Sequence, residues 1–225
     1  MRVIIAGSTG MIGRLILNHC LVSDEIREVI SFVRKPSDKI VDRKLKEVVL
    51  SDFEDYSEHY SEFENVSVAF FCIGAYTGQV SDQMFKKITV NYAVKFASAL
   101  KRYSNNSTFC LLSGAGADRS EKSKTAFAKY KGMAENKISE MKLKFYSFRP
   151  GYIYPTTVRK EPNLIYKFMR FSYPLIRLFG NNVSIKSTEL AQAMFNVGLC
   201  GADKEILENK DIMHQIKSLS SNVSN

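Results

Sequence analysis

The chain of 225 residues contains no tryptophan, three histidines, five prolines and four cysteines. Each scarcity excludes something. Cys20, Cys72, Cys110 and Cys200 stand far apart, with no CxxC pair and no histidine at ligand spacing. Neither a zinc site nor a disulfide framework is indicated, and no metal is expected. Free thiols in a reducing cytosol are the expected state. No apolar run approaches the roughly 20 residues that a membrane-spanning helix needs. The first strand is read from Arg2, which leaves no room for a cleaved signal ahead of it. A soluble, cytoplasmic protein is therefore expected.

Positive charge is what the sequence has in excess. Lysine and arginine total 32 against 23 acids, giving a net charge of +9 and a pI near 9.3. The cations are interleaved with acids, and no basic helix, zinc finger or RNP-like aromatic motif is present. Nucleic acid is therefore not an expected partner, whereas an anionic cofactor is compatible with the charge. With 45% hydrophobic residues the chain can bury one sizeable core. One domain is expected over residues 1–217, followed by a polar tail, 218–225.

Short β-branched runs alternate with longer stretches of helical period, the pattern of a doubly wound parallel α/β sheet. Strands are predicted at Arg2 to Ala6, Glu28 to Val33, Glu47 to Leu50, Val66 to Cys72, Ser107 to Ser113 and Leu143 to Phe148, with a short seventh near Glu205 to Leu207. Helices are predicted at Met11 to Leu21, Gln83 to Tyr103, Lys124 to Met141 and Glu189 to Leu199. Between residues 155 and 182 the rhythm changes to a proline-bearing, basic and aromatic stretch. It is read as a helical insertion: an ordinary packing helix, a lid over the cleft, or a patch for a partner or membrane surface.

The sharpest motif is Gly7-Ser8-Thr9-Gly10-Met11-Ile12-Gly13. Three glycines at these offsets are weak by themselves. Here they follow the strand Val3-Ile4-Ile5-Ala6 and open a helix, the setting in which a Rossmann turn holds a dinucleotide pyrophosphate at a helix N-terminus. The end of the second strand carries Arg34 and Lys35, where an NAD-selective site places a carboxylate. Guanidinium and ammonium groups pair with a 2′-phosphate, so NADP(H) is expected in preference to NAD(H). Ser51, Asp52 and Phe53 follow the third strand and suit an adenine pocket, with Asp52 accepting from the exocyclic amine; Asp52 is equally readable as the cap of the next helix.

Together with further segments these residues resemble the short-chain dehydrogenases/reductases, in particular the atypical branch with the Tat-interacting, NADPH-binding oxidoreductase-like proteins. The segments are Val33-Arg34-Lys35, Phe71-Cys72-Ile73-Gly74 with Thr77-Gly78, Leu111-Leu112-Ser113-Gly114-Ala115-Gly116-Ala117-Asp118, Lys131-Gly132-Met133-Ala134-Glu135, Phe148-Arg149-Pro150-Gly151 and Leu207-Glu208-Asn209-Lys210-Asp211-Ile212. The resemblance implies that Cys72, Ile73 and Gly74 lie against the nicotinamide ribose and pyrophosphate. It further implies that Lys131 bonds the ribose hydroxyls and that Pro150, Gly151 and Tyr152 border the nicotinamide. Asn91 falls where the family's helical asparagine stands, or is a polar residue facing water.

The family's chemistry needs a tyrosine four residues before the lysine, so that one helical turn aligns phenol and ammonium. Here that residue is Phe127. The serine partner is Ser113 followed by Gly114, so the second hydroxyl of the usual pair is absent. Tyr130 is displaced about 60° and roughly 4.5 Å from position 127 on a helix, and Tyr76 lies on the loop after the fourth strand; these two are the substitute acids to consider. By the resemblance, a cleft should leave space for a hydroxyl on the ring at 127. The expected activity is hydride transfer between NADP(H) and a small carbonyl or alcohol. The alternative is a non-catalytic NADP(H)-binding module that serves an unidentified protein partner, with isomerase or dehydratase chemistry behind both.

Overall fold

Val3, Ile4, Ile5 and Ala6 have no exposed surface at all, which is the condition of a strand covered on both faces. They belong to β1 (Arg2–Ala6) at the centre of a seven-stranded sheet. Its other strands are β2 (Glu28–Val33), β3 (Leu45–Val49), β4 (Val68–Phe71), β5 (Thr108–Leu112), β6 (Lys144–Arg149) and β9 (Ile206–Glu208). The order is β3-β2-β1-β4-β5-β6-β9, with every neighbouring pair parallel. The chain reverses its direction of travel across the sheet between β1 and β4. That is the switch point at which open α/β sheets bind ligands. A separate two-stranded ribbon pairs β7 (Tyr152–Tyr154) with β8 (Ser184–Lys186). The computed structural model describes residues 1–36, 40–76, 78–156 and 183–222. Most of the expected helical insertion, together with Thr77, lies outside the described residues.

Alternation along the strands sends side chains to two cores. On one face α1 (Met11–Val22), α5 (Ser187–Cys200) and α6 (Asn209–Asn222) cover the sheet, with Ile16, Phe70, Phe148, Met194 and Ile212 among the buried residues between them. On the other face α3 (Tyr92–Tyr103), α4 (Ala126–Ser139) and the 3-10 segment Ser57–Phe63 close over an aromatic block. Phe32 stacks on Phe63 at 5.3 Å between ring centroids, and Phe96 meets both rings edge-on. The Rossmann-type doubly wound fold is as expected, as a single domain.

The seven predicted strands and four predicted helices are all present, with ends shifted by no more than two residues. The helix read as Gln83 to Tyr103 consists of α2 (Asp82–Lys86) and α3, joined by one π turn, Lys87–Asn91. The 3-10 segment, the β7–β8 ribbon and α6 are elements that periodicity did not reveal. α6 carries the backbone to Asn222, beyond the Ser218 at which the polar tail was drawn.

Candidate functional site

β1 runs into the glycine turn, where Gly7 has φ +93°. A side chain on Gly7 would begin 2.7 Å from the backbone carbon of Cys72, and one on Gly13 would begin 2.2 Å from the Gly7 carbonyl oxygen. These glycines let β1, β4 and α1 converge. The turn is closed by Gly10 N–H donating to Gly7 O at 3.0 Å, and it leads directly into the N-terminus of α1, the end of a helix that favours anions. Above it opens a cleft of about 320 Å³, lined by Gly7, Thr9 and Gly10 from the turn, Arg34 after β2, and Cys72, Ile73 and Gly74 after β4. A second opening, lined by Thr9, Arg34 and Lys35, lies beside it. The glycine-lined cradle, the helix N-terminus and the cationic rim fit the phosphates of a nicotinamide dinucleotide.

An NAD(P)H-binding family model matches residues 7–174, most of the chain. The chain belongs to this NAD(P)H-binding family. No curated protein matches the sequence. Among solved structures, Gre2 of Candida albicans in complex with NADPH has a TM-score of 0.68 at 12% identity, covering 92% of this chain and 77% of that one. The oxidoreductase ylbE of Lactococcus lactis has a TM-score of 0.66 at 18% identity, with 98% and 97% covered. WbmF of Bordetella bronchiseptica in complex with NAD+ has a TM-score of 0.66 at 11% identity, with 98% and 78% covered. At these identities the likeness is one of fold.

Several residues read from the sequence face elsewhere in this NAD(P)H-binding chain. The Asp52 carboxylate has partners within the chain. Its Oδ1 accepts the Glu54 N–H at 3.0 Å and its Oδ2 accepts from Lys87 Nζ at 3.3 Å, so it serves the local turn. Asn91 is likewise turned away from the cleft, donating to Glu54 Oε1 at 2.7 Å on the protein surface. Ile12 is a core residue, and Ser8 shares a buried hydrogen bond with Ser31. Phe53 does line the cleft. Ser51 lines it too, and the sequence reading missed Phe32, Val33, Met84, Ile88 and Tyr92, which complete the wall. The spacing of 84, 88 and 92 is the signal that could have found three of them.

The expected acid–base groups separate in the structure. Lys131, on α4, donates to the Leu112 carbonyl at 2.9 Å, at the end of β5. Burial pushes its pKa down to about 8, against Glu135 and Cys72, which draw it up. Burial also pushes the Cys72 thiol up to about 12 while Lys131 pulls it down. Tyr130 donates to Asp82 Oδ2 at 2.7 Å on the exposed side of the helix, a bond that raises its pKa. Ser113 donates its hydroxyl to Glu135 Oε1 at 2.6 Å. Pro150 is buried, its carbonyl accepting from Ala115 N–H, and the Gly151 N–H donates to Asn209 Oδ1 at 2.8 Å. Tyr152 starts β7, and Tyr76 stands half-buried on the loop after β4.

Phe127 does not border open space at its ring tip. A side chain at Gly114 would begin 2.5 Å from Phe127 Cζ, 3.3 Å from Cε1 and 3.5 Å from Cε2. The ring therefore meets Gly114 end on, and a tyrosine hydroxyl on Cζ would be directed at the glycine backbone. The expected space for that hydroxyl is missing because Gly114 and Phe127 have closed on each other.

Glu135 forms a further cluster that the sequence did not announce. Its carboxylate is fully buried and accepts from Ser113, from Ser147 at 2.8 Å, from Arg149 Nε at 3.0 Å and from Arg119 Nε at 3.2 Å. Burial opposes its ionisation, yet the bonds from Arg149, Ser113 and Ser147 outweigh burial and hold its pKa below the ordinary value. The cluster ties α4 to the ends of β5 and β6, and so holds the helix that carries Lys131.

Proposed function

We propose that this chain is an NADP(H)-dependent oxidoreductase of the atypical short-chain dehydrogenase/reductase type, acting on a small carbonyl or alcohol in the cytoplasm. The observation that carries the reading is the continuous cleft from the glycine turn and Arg34 to Cys72, Ile73 and Gly74 at the sheet's switch point. When bound, the reduced cofactor supplies hydride. The glycine turn and the α1 N-terminus hold the pyrophosphate. Arg34 and Lys35 pair with the 2′-phosphate, and this pairing sets the preference for NADP(H). Phe53, Met84, Ile88 and Tyr92 offer the apolar wall for the adenine end, while Lys131 is placed for the nicotinamide ribose.

The alternative is an NADP(H)-holding module without turnover, and it is favoured by one observation, the packing of Phe127 on Gly114 where the family's phenol would act. The test is common to both. Purified protein is titrated with NADPH by calorimetry and then mixed with NADPH and a panel of aldehydes and ketones, following absorbance at 340 nm. Binding with turnover supports the enzyme, binding without turnover supports the module, and absence of binding refutes both.

A further inference from the structure

Phe127 has no proton to give, the Tyr130 hydroxyl is committed to Asp82, and the Ser113 hydroxyl is committed to Glu135. Lys131 differs from all three. Its Nζ lies at the C-terminal edge of the sheet, with one proton engaged by the Leu112 carbonyl at 2.9 Å. An ammonium group carries three protons, so two remain for other partners. Its ionisable neighbours are Glu135, one turn further along α4, and Cys72 at the end of β4, and Cys72 itself forms part of the cleft wall. β4 and β5 pair Phe71 with Leu111, so Leu112, which holds the amine, ends its strand beside Cys72 of the cleft wall.

We propose that Lys131 is the proton donor of the reduction, taking over the role that a phenol at 127 would have. The inference rests on the oxidoreductase reading. When bound, the reduced cofactor would supply hydride to the carbonyl carbon of the substrate, and the C=O π pair would move to oxygen. That oxygen takes a proton from Lys131 Nζ, the N–H electron pair stays on nitrogen, and the neutral amine regains a proton from water. The carbonyl is reduced to an alcohol and the cofactor is oxidised, so atoms and electrons balance. An ordinary lysine would be a poor acid for this step, and burial improves it by lowering the pKa to about 8. At neutral pH most of the amine is still protonated and able to donate.

The deciding experiment needs no substrate. The whole protein is acetylated with sulfosuccinimidyl acetate from pH 6 to 11, and modification of Lys131 is quantified by peptide mass spectrometry, with and without NADPH. A reactivity midpoint near 8, together with at least tenfold protection by NADPH, supports the donor. A midpoint above 10, or no protection while calorimetry shows NADPH bound, overturns it and leaves the cofactor reading standing. Failure to bind NADPH overturns the cofactor reading itself. With any carbonyl the protein reduces, kcat/KM falls about tenfold per pH unit above 8, as the ammonium is lost. Lys131→Arg keeps the cation but cannot release a proton near neutrality, so kcat measured at saturating NADPH drops at least tenfold. Retention of kcat within twofold in Lys131→Arg, or a loss confined to Tyr76→Phe, overturns the assignment.

Discussion

The ring of Phe127 occupies the space that a side chain on Gly114 would need, its Cζ standing 2.5 Å from the Cβ position. The two residues are complementary, and each limits what the other can become. Gly114→Ala is expected to cost roughly 1–3 kcal/mol by overpacking, and Gly114→Ser at least as much. In a Phe127→Ala background the same Gly114→Ala substitution should cost much less. Urea denaturation of the two single variants and the double variant measures this coupling, and strict additivity would refute the packing account.

The same geometry governs the simplest attempt to restore a phenol. Phe127→Tyr directs its hydroxyl at the Gly114 backbone, so the expected outcome is a destabilised protein with no gain in carbonyl reduction. Thermal unfolding and NADPH oxidation rates check it. A tens-of-fold gain in rate at unchanged stability would show that the ring has room to move.

Arg34 and Lys35 should make NADPH bind at least tenfold more tightly than NADH, since charge-assisted bonds to the 2′-phosphate contribute roughly 1.5–3 kcal/mol. Arg34→Ala removes most of that preference and leaves NADH affinity nearly unchanged. Calorimetric titration with both cofactors decides it, and equal dissociation constants in the wild type contradict the assignment.

Glu135 predicts an acid-side signature. Its folded pKa lies below the ordinary carboxylate value, so it contributes stability that is fully present above the unfolded pKa and is lost as pH falls through the folded one. Glu135→Gln leaves Arg149 and Arg119 without their buried counter-charge, costing roughly 3 kcal/mol at pH 7. Between pH 5 and 3 the variant should lose less stability than the wild type. Denaturant midpoints across that range test the sign, and parallel pH profiles would mean that Glu135 is not the responsible group.

Gly7→Ala should abolish NADPH binding. The added methyl meets the Cys72 and Ile73 backbone at under 3 Å, and the backbone already holds φ +93°. Strain and overpacking together cost at least about 2 kcal/mol. Tight NADPH binding by a normally folded Gly7→Ala protein would show that the turn does not hold the phosphates.

Local chemistry alone determined the parallel α/β fold, the glycine turn and the cationic rim. Strand and helix periods are set by residues close in sequence, and a phosphate cradle is one strand, one turn and one helix start. The absence of a phenol at 127 was equally legible, because it needs only the spacing to Lys131. The orientations of Asn91, Ser113 and Tyr130 were decided by partners distant in sequence, and that of Asp52 by the nearby Glu54 N–H together with one such partner. Lys87 lies 35 residues from Asp52, Glu54 lies 37 from Asn91, Glu135 lies 22 from Ser113 and Asp82 lies 48 from Tyr130. A polar side chain turns to the strongest partner within reach, and reach is set by the packing of whole elements. Only the tertiary structure could bring Gly114 and Phe127 together and place Lys131 where burial lowers its pKa.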